Sequence, residues 1–154
     1  MSRIGQNAFY RSELTLINDE GEVEAKWIVP KTLINLENWS LAATKIEEVF
    51  FHKDFKSFGE HSFDRGSLKK IELENGMSDV EIADAAFLYC PLEEIVNSDC
   101  IKTIGNSSLY GTKLTITNEF KNVEEIGYQS FGYTDSLELS LPKLKYYEHV
   151  SKTA

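Results

Sequence analysis

Three pairs of adjacent glutamates are the first residues of this sequence that could do chemistry: Glu47-Glu48, Glu93-Glu94 and Glu124-Glu125. Two neighbouring carboxyl groups can act as a general acid and a general base. Adjacent residues of a strand, however, point to opposite faces of the sheet. Each pair also stands directly before an apolar residue. Their recurrence therefore indicates a structural repeat instead of an active site.

The thiols and imidazoles do not form a recognisable catalytic or metal-binding pattern. Cys100 follows Asp99, whose negative charge disfavours the thiolate that a nucleophile requires. No zinc-site spacing relates His52, His61 and His149, and no Cys-x-x-Cys pair exists to complete such a site. A glycine-rich phosphate loop and a nucleophile elbow are missing too. We therefore predict no catalytic residues, no metal site and no cofactor.

Composition narrows the class of protein and of partner. The 154 residues are 42% hydrophobic and 12% aromatic, which suits a single domain with a continuous core. No apolar run approaches the roughly 20 residues that span a bilayer, and residues 1–10 lack the features of a signal peptide. The net charge of -9 disfavours direct binding to nucleic acid and favours a protein partner with a basic surface.

A repeat runs through the chain, marked by one large anchor residue in each copy. The anchors are Phe9, Trp39, Phe63, Phe87, Leu109 and Phe131, with spacings of 30, 24, 24, 22 and 22 residues. These spacings match one coil of a solenoid. The long first spacing predicts an insertion near residues 18–26, in an exposed loop around Gly21.

Four positions around the anchor keep their character from coil to coil. An apolar residue stands five positions before it: Ile4, Ile34, Phe58, Ile82, Ile104 and Ile126. The next position is Gly or Ala in five of the six coils, the residue just before the anchor is never bulky, and the third residue after it is always small. Equivalent residues of successive coils stack, so each column must keep one size and polarity. Cys90 lies in the last of these columns and is predicted to be a small buried residue.

The segments after the anchors predict a stacked parallel sheet. They mostly alternate apolar and polar residues, which is typical of half-buried strands, at residues 14–17, 46–51, 68–73, 92–96, 114–117 and 137–141. Short helical or 3-10 turns are expected around the anchors, for example at residues 84–90. The prediction is thus an α/β solenoid of about six coils, a single domain over residues 1–154, with a degenerate last coil or cap from residue 142.

The best-preserved motifs resemble the BspA-like (Treponema-type) leucine-rich repeats. One is Ile-Gly-x-x-Ser-Phe at 126–131, with Val123 ahead of it and a Leu-Glu-Leu-Ser-Leu-Pro segment at 137–142 behind it. Residues 82–90, followed by Leu92 and Ile95, also match, including the cysteine. The resemblance covers roughly residues 3–147 and implies a leucine-rich-repeat solenoid that binds a ligand or partner. The chain departs from the pattern at Trp39, at Leu109 and after residue 142.

We therefore expect a protein-protein interaction module without catalysis and without membrane insertion. Two alternatives remain open. The resemblance suggests a fragment of a bacterial cell-surface or adhesion protein, while the acidic charge suits a small intracellular inhibitor, from a mobile element, that acts on a basic nucleic-acid-binding protein. The expected compartment is the cytoplasm if the chain is complete, and the cell surface or the exterior if it belongs to a longer protein. The first coil has no preceding cap, so we expect its end to be covered by a partner, by a second copy of the chain in a homodimer through a solenoid end, or by missing sequence.

The candidate binding surface combines the outward residues of the predicted sheet with aromatic residues outside the core columns. The alternative is that the charges only keep a stacked sheet soluble and that the tyrosines pack on a neighbouring coil. The candidate residues are Glu47, Glu48, Lys70, Glu72, Glu93, Glu94, Thr115, Thr117, Glu138, Tyr128 and Tyr133.

Overall fold

A computed structural model describes residues 1–115, 120–134 and 139–147 of the protein. These residues form a parallel β-solenoid, which confirms the predicted fold. In chain order the strands are β1 (Arg3–Ile4), β2 (Leu16–Ile17), β3 (Val23–Glu24), β4 (Lys26–Ile28), β5 (Asn35–Leu36), β6 (Glu48–Phe51), β7 (Ser57–Phe58), β8 (Lys70–Leu73), β9 (Val80–Ile82), β10 (Glu94–Val96), β11 (Ile101–Ile104), β12 (Glu125–Ile126) and β13 (Tyr146–Tyr147). A 3-10 helix occupies Ser98–Cys100.

Two parallel sheets run along the solenoid. The seven-stranded sheet, in the order β1-β5-β7-β9-β11-β12-β13, lies before the anchors in each coil. The four-stranded sheet, in the order β10-β8-β6-β4, lies after them. The sequence predicted only the second sheet. Its predicted strands at 114–117 and 137–141 fall partly outside the described residues, and their described parts, 114–115 and 139–141, contain no strand.

Strand register corrects the anchor of the second coil. Strand β1 pairs with β5 so that Ile4 lies opposite Leu36. The anchor five residues later is then Leu41, which is fully buried, while Ile34 is 40% exposed. The prediction of Trp39 as an anchor is wrong, because two large apolar pairs with the same spacing, offset by two residues, compete in this coil. Backbone pairing selects the pair that can stack on both neighbouring coils.

The anchor segments are successive turns that bond to the next coil. In the segment 84–90, Ala85 and Tyr89 on either side of Phe87 adopt positive φ angles of 54° and 53°. The backbone N–H groups of Ala85, Phe87 and Tyr89 each donate to a carbonyl of the following coil, at 2.8 to 2.9 Å. The hydrogen bonds therefore run along the solenoid axis. For this reason the segment is a set of turns, where the sequence suggested a helical or 3-10 turn.

Stacked aromatic rings fill the core between the sheets and the anchor turns. The ring of Phe63 stacks on that of Phe87 with centroids 5.7 Å apart, and Phe58 meets Phe87 edge-on at 5.1 Å. All three side chains are almost completely buried. Truncating any one of them to alanine should cost about 3–5 kcal/mol. The rings thus hold consecutive coils together and fix the spacing of the surface residues.

The first coil is long because it contains a β-hairpin. Strands β2 and β3 pair antiparallel, with Ile17 opposite Val23, and the residues between them include Gly21 at a φ of 83°. The Oδ1 atom of Asn18 accepts the N–H of Glu22 at 2.9 Å, which closes the tip. Strand β4 then takes the place in the four-stranded sheet that the sequence assigned to residues 14–17.

Candidate functional site

Lysines pair with several glutamates on and beside the outer face of the four-stranded sheet, where five of the eleven predicted binding residues lie. Strand register places Lys26, Glu48, Lys70 and Glu94 in one outward row. The Nζ atom of Lys70 lies 3.9 Å from Oε2 of Glu94. The row therefore alternates in charge.

One further ion pair lies on this face, and another lies just before strands β6 and β8 begin. Lys26 contacts Glu72 at 2.9 Å, and Lys69 contacts Glu47 at 3.1 Å. Lys26 reaches this face because strand β4 follows the hairpin and forms one edge of the sheet. Whether the face binds a partner stays a prediction.

The remaining predicted binding residues are spread over different parts of the coil. Glu93 and Thr115 are exposed, whereas Thr117 and Glu138 lie outside the described residues. Tyr128 and Tyr133 are 47% and 58% exposed, on the anchor turn of their coil. The structure does not bring the described members of the predicted set together into one site.

A groove of about 480 Å³ crosses the seven-stranded sheet, which the sequence did not predict. Its floor includes the outward row Ser57, Glu81, Thr103 and Glu125, one residue from each of four successive strands. Tyr146 lines one end of this acidic groove. The arrangement is an open channel that runs along several coils.

The charges of the acidic groove have one sign. Glu81, Asp84 and Glu125 contribute carboxylates, and none of the described lining residues is a lysine, arginine or histidine. Glu81 and Glu125 stand on either side of Thr103, two strand spacings or roughly 9.6 Å apart. Neither is within ion-pair distance of a described cation. Glu124, just outside the groove, differs because a lysine contacts its carboxylate.

Glu124, next to Glu125 but outside the groove, illustrates the contrast. The Nζ atom of Lys145 donates a hydrogen bond to its Oε2 at 2.9 Å. This hydrogen bond lowers the pKa of the Glu124 carboxyl, against a smaller opposing effect of desolvation. One glutamate of the pair is thus neutralised locally, while Glu125 turns its charge toward the groove.

Glycines and side-chain amides shape the rim of the acidic groove. The Oδ1 atom of Asp84 accepts the backbone N–H of Asn106 at 2.7 Å, and Oδ1 of Asn106 accepts that of Tyr128 at 2.8 Å. A Cβ on Gly105 would lie 2.6 Å from Oδ1 of Asp84, so only glycine leaves room for this bond. The Gly column seen in the sequence is therefore the place where coils approach closely.

Strand length explains why the sequence did not reveal this groove. Several strands of the seven-stranded sheet have only two residues, which is too short for an alternating pattern to be visible. The usable signal was the residue just before each inward isoleucine, as at Glu81, Thr103 and Glu125. These three are not basic, whereas Arg3 stands at the same position in the first coil, away from the groove.

A second surface feature is a ridge of tyrosines on the anchor turns. The tyrosine ridge consists of Tyr89, Tyr110 and Tyr133, with successive ring centroids 5.5 and 5.0 Å apart, and of Arg65, whose guanidinium lies 5.3 Å from the Tyr89 ring centroid. Desolvation raises the pKa of the Tyr110 hydroxyl, and interactions with Tyr133 and Tyr89 add to the rise. None of the four residues lines the acidic groove.

Comparison with known families identifies the repeat. A family model described as the BspA type leucine-rich repeat region matches six copies, over residues 1–115 and 35–149. The chain belongs to this family. The BspA-type repeats thus span both sheets, the acidic groove and the tyrosine ridge. No curated protein and no solved structure gave a significant match.

The described part of this BspA-type protein contains neither a metal-ligand cluster nor a membrane-spanning helix. Within it, no set of three or more His, Cys, Asp or Glu side chains is placed to hold a metal ion. No helix of residues 1–115, 120–134 or 139–147 has the length and apolar character needed to cross a membrane.

Proposed function

We propose that this BspA-type repeat protein is a protein-binding module without catalysis, and that its acidic groove receives a basic, extended segment of the partner. One observation carries the proposal. Three carboxylates line the groove, and no described cation balances them there. On the four-stranded sheet, by contrast, Glu47, Glu72 and Glu94 each have a lysine within 4 Å.

Electrostatics gives the groove its preference for a basic ligand. Carboxylates without a nearby cation leave a negative potential that attracts lysine and arginine side chains and increases the rate of association. Glu81 and Glu125 are separated by roughly two strand spacings, so they can contact different side chains of one extended segment. The hydroxyl of Thr103 lies on the same floor and can bond to its backbone. The hydroxyl of Ser57 donates to Oδ1 of Asn35 at 2.8 Å, so it can only accept a backbone N–H of the segment.

The solenoid architecture supports binding of this kind. Stacked repeats present an extended surface whose residues are held at regular spacing by the core. The groove crosses strands β7, β9, β11 and β12, so a partner segment lying along the axis would contact four coils. Affinity would then come from several weak contacts in a row.

The test is binding of a fluorescent peptide of about ten residues in which lysine and serine alternate. Polarisation should show saturable binding to the full chain that weakens as salt rises, because exposed charges are screened. The variant Glu81→Gln/Glu125→Gln should weaken binding about tenfold, as exposed charge pairs contribute about 0.2–1 kcal/mol each.

The matched control removes the same number of charges elsewhere. Glu47→Gln/Glu94→Gln changes two carboxylates of the four-stranded sheet and should alter peptide binding less than twofold. Equal weakening by both variants would mean that only the net charge matters. That result, or the failure of the peptide to bind at low salt, would refute the proposed role of the groove.

A further inference from the structure

We propose that the tyrosine ridge is a second docking surface, which binds a proline-rich segment in the polyproline II conformation with an acidic residue beside Arg65. The ridge lies on the anchor turns and shares no residue with the acidic groove. The inference rests on three features of the described residues: rings held in place before binding, their spacing along the axis, and one uncompensated cation.

The rings are fixed in place by glycines of the neighbouring coils. A Cβ on Gly111 would lie 2.7 Å from Cδ1 of Tyr89, and a Cβ on Gly132 would lie 2.5 Å from Cδ2 of Tyr110. Each ring thus lies across backbone that carries no side chain. A surface that is already ordered loses little conformational entropy on binding.

About half of the surface of each outer ring of the ridge is exposed. Tyr89 is 51% and Tyr133 58% exposed, although each also contacts Tyr110. Tyr89 and Tyr133 both have a φ of 53°, a region that favours glycine. Gly111 occupies the same column in the coil between them. The backbone therefore does not require tyrosine at this position. Arg11, Ala43 and Arg65 adopt nearly the same φ at this position in other coils, so the turn accepts several residue types. Exposed tyrosine rings are over-represented in binding hot spots.

The spacing of the ridge matches polyproline II. Tyr89 and Tyr133 occupy equivalent positions two coils apart, so they are separated along the axis by roughly 9.5 Å, two strand spacings. A polyproline II helix repeats every three residues, over roughly 9.3 Å. Prolines three residues apart could therefore pack against both tyrosines. The backbone carbonyls of such a helix have no internal partners, and tyrosine hydroxyls can donate to them.

Arg65 supplies charge complementarity at one end of the ridge. Its guanidinium lies over the Tyr89 ring, and no described carboxylate comes within 4 Å of it. Arginine can stack on an aromatic ring and form a bidentate pair with a carboxylate at the same time. An aspartate or glutamate flanking the prolines would pair with it and fix the direction of the segment.

The test uses the full chain and a fluorescent peptide of about ten residues that is mostly proline and carries one terminal glutamate. We expect saturable binding, a loss of at least fivefold for Tyr89→Ala/Tyr133→Ala, and a smaller loss for Arg65→Gln. Tyr128→Ala is the matched control, because Tyr128 is exposed to a similar extent but lies outside the ridge. It should bind like the unchanged protein.

Three outcomes would overturn the inference. The first is that the unchanged protein does not bind the proline-rich peptide. The second is that it binds equally well a peptide in which glycine and serine replace the prolines. The third is that a Tyr89→Ala/Tyr133→Ala variant, shown to be folded by circular dichroism, binds the peptide as well as the unchanged protein. Binding of a neutral oligosaccharide with the same sensitivity to Tyr89→Ala/Tyr133→Ala, but not of the peptide, would assign the ridge to carbohydrate. The Glu81→Gln/Glu125→Gln variant should bind the proline-rich peptide normally, so failure of one surface is distinguishable from failure of the other.

Discussion

The side chain of Asn106 holds the backbone of Tyr128 in the next coil. Its Oδ1 accepts the Tyr128 N–H at 2.8 Å, while the backbone N–H of Asn106 donates to Oδ1 of Asp84 in the coil before. Asn38 makes the corresponding bond to the N–H of Glu60 at 3.0 Å. Side chains at this position therefore extend the hydrogen bonding of the seven-stranded sheet beyond its short strands.

Replacing Asn106 should weaken the contact between the last described coils. Asn106→Ala leaves the Tyr128 N–H without its acceptor, and because this site is near solvent the cost should be about 1 kcal/mol. Asn106→Asp keeps an acceptor oxygen, but it replaces the amide that donates to Oδ2 of Asp84 at 3.5 Å with a like charge, so it should recover little of the lost stability at low salt. Urea unfolding measures both values. Equal stability of Asn106→Ala and the unchanged protein would show that water replaces the bond fully.

The glycine column gives a sharper prediction, since it compares one substitution at two equivalent sites. A Cβ on Gly59 would lie 2.6 Å from both the backbone carbon of Glu37 and the carbonyl oxygen of Leu36. Backbone atoms cannot move aside, so Gly59→Ala should cost about 2–3 kcal/mol. Gly5→Ala has only Oε2 of Glu37 nearby, at 3.8 Å, and should change stability by less than about 0.5 kcal/mol. Similar losses at both sites would rule out close approach as the reason for the glycines.

The sequence was sufficient to predict the solenoid, but not the register of every coil. Columns such as Ile104 with Gly105 and Ile126 with Gly127 recur because they stack directly on one another. The second coil is ambiguous, since Ile34 with Trp39 imitates the spacing of Leu36 with Leu41. Only backbone pairing distinguishes the two, and pairing is a property of the assembled fold.

The balance of surface charge was harder to predict than the fold. Lys26 neutralises Glu72, which is 46 residues further along the chain, because the hairpin delivers strand β4 to the edge of the four-stranded sheet. The acidic groove arises in the opposite way, because its strands bring carboxylates together without lysines. Both results depend on which residues become neighbours in the assembled fold, and composition carries no record of that.

The buried carboxylate of Asp64 lies close to His61, and substitutions of these two residues test how much their contact stabilises the fold. Asp64 is only 2% exposed, and its Oδ2 lies 2.8 Å from Nδ1 of His61, which stacks on Trp39. His61→Ala would leave this carboxylate without its partner and should cost about 3 kcal/mol. Asp64→Ala should cost less, because Ala42 occupies the equivalent position in the preceding coil.

A double-mutant cycle separates the pair from the stacking on Trp39. If His61 acts mainly on Asp64, the double variant His61→Ala/Asp64→Ala should be more stable than His61→Ala alone. Additive losses in urea unfolding would show instead that His61 contributes chiefly through its contact with Trp39. The cycle therefore assigns the energy to one contact or the other.

The two thiols should be protected from alkylation for as long as the protein is folded. Burial raises the pKa of Cys90 to about 12 and that of Cys100 to about 11, and Asp99 adds to the rise at Cys100. Because each folded-state pKa lies above the ordinary value of 9.0, the protonated thiols favour the folded state below pH 9, and this contribution is lost as the pH rises toward 11 and then 12. At pH 8 almost no thiolate is present to react.

Mass spectrometry after iodoacetamide treatment at pH 8 should find neither cysteine modified in the native protein and both modified in urea. As the pH is raised, Cys100 should react before Cys90, because its pKa is lower and its side chain slightly more exposed. Cys90 packs beneath the anchor turn, with its Sγ donating to the carbonyl oxygen of Leu68 at 3.4 Å. Its modification therefore requires the coils to separate, and rapid alkylation of Cys90 under native conditions would contradict the stacked core on which both docking surfaces are built.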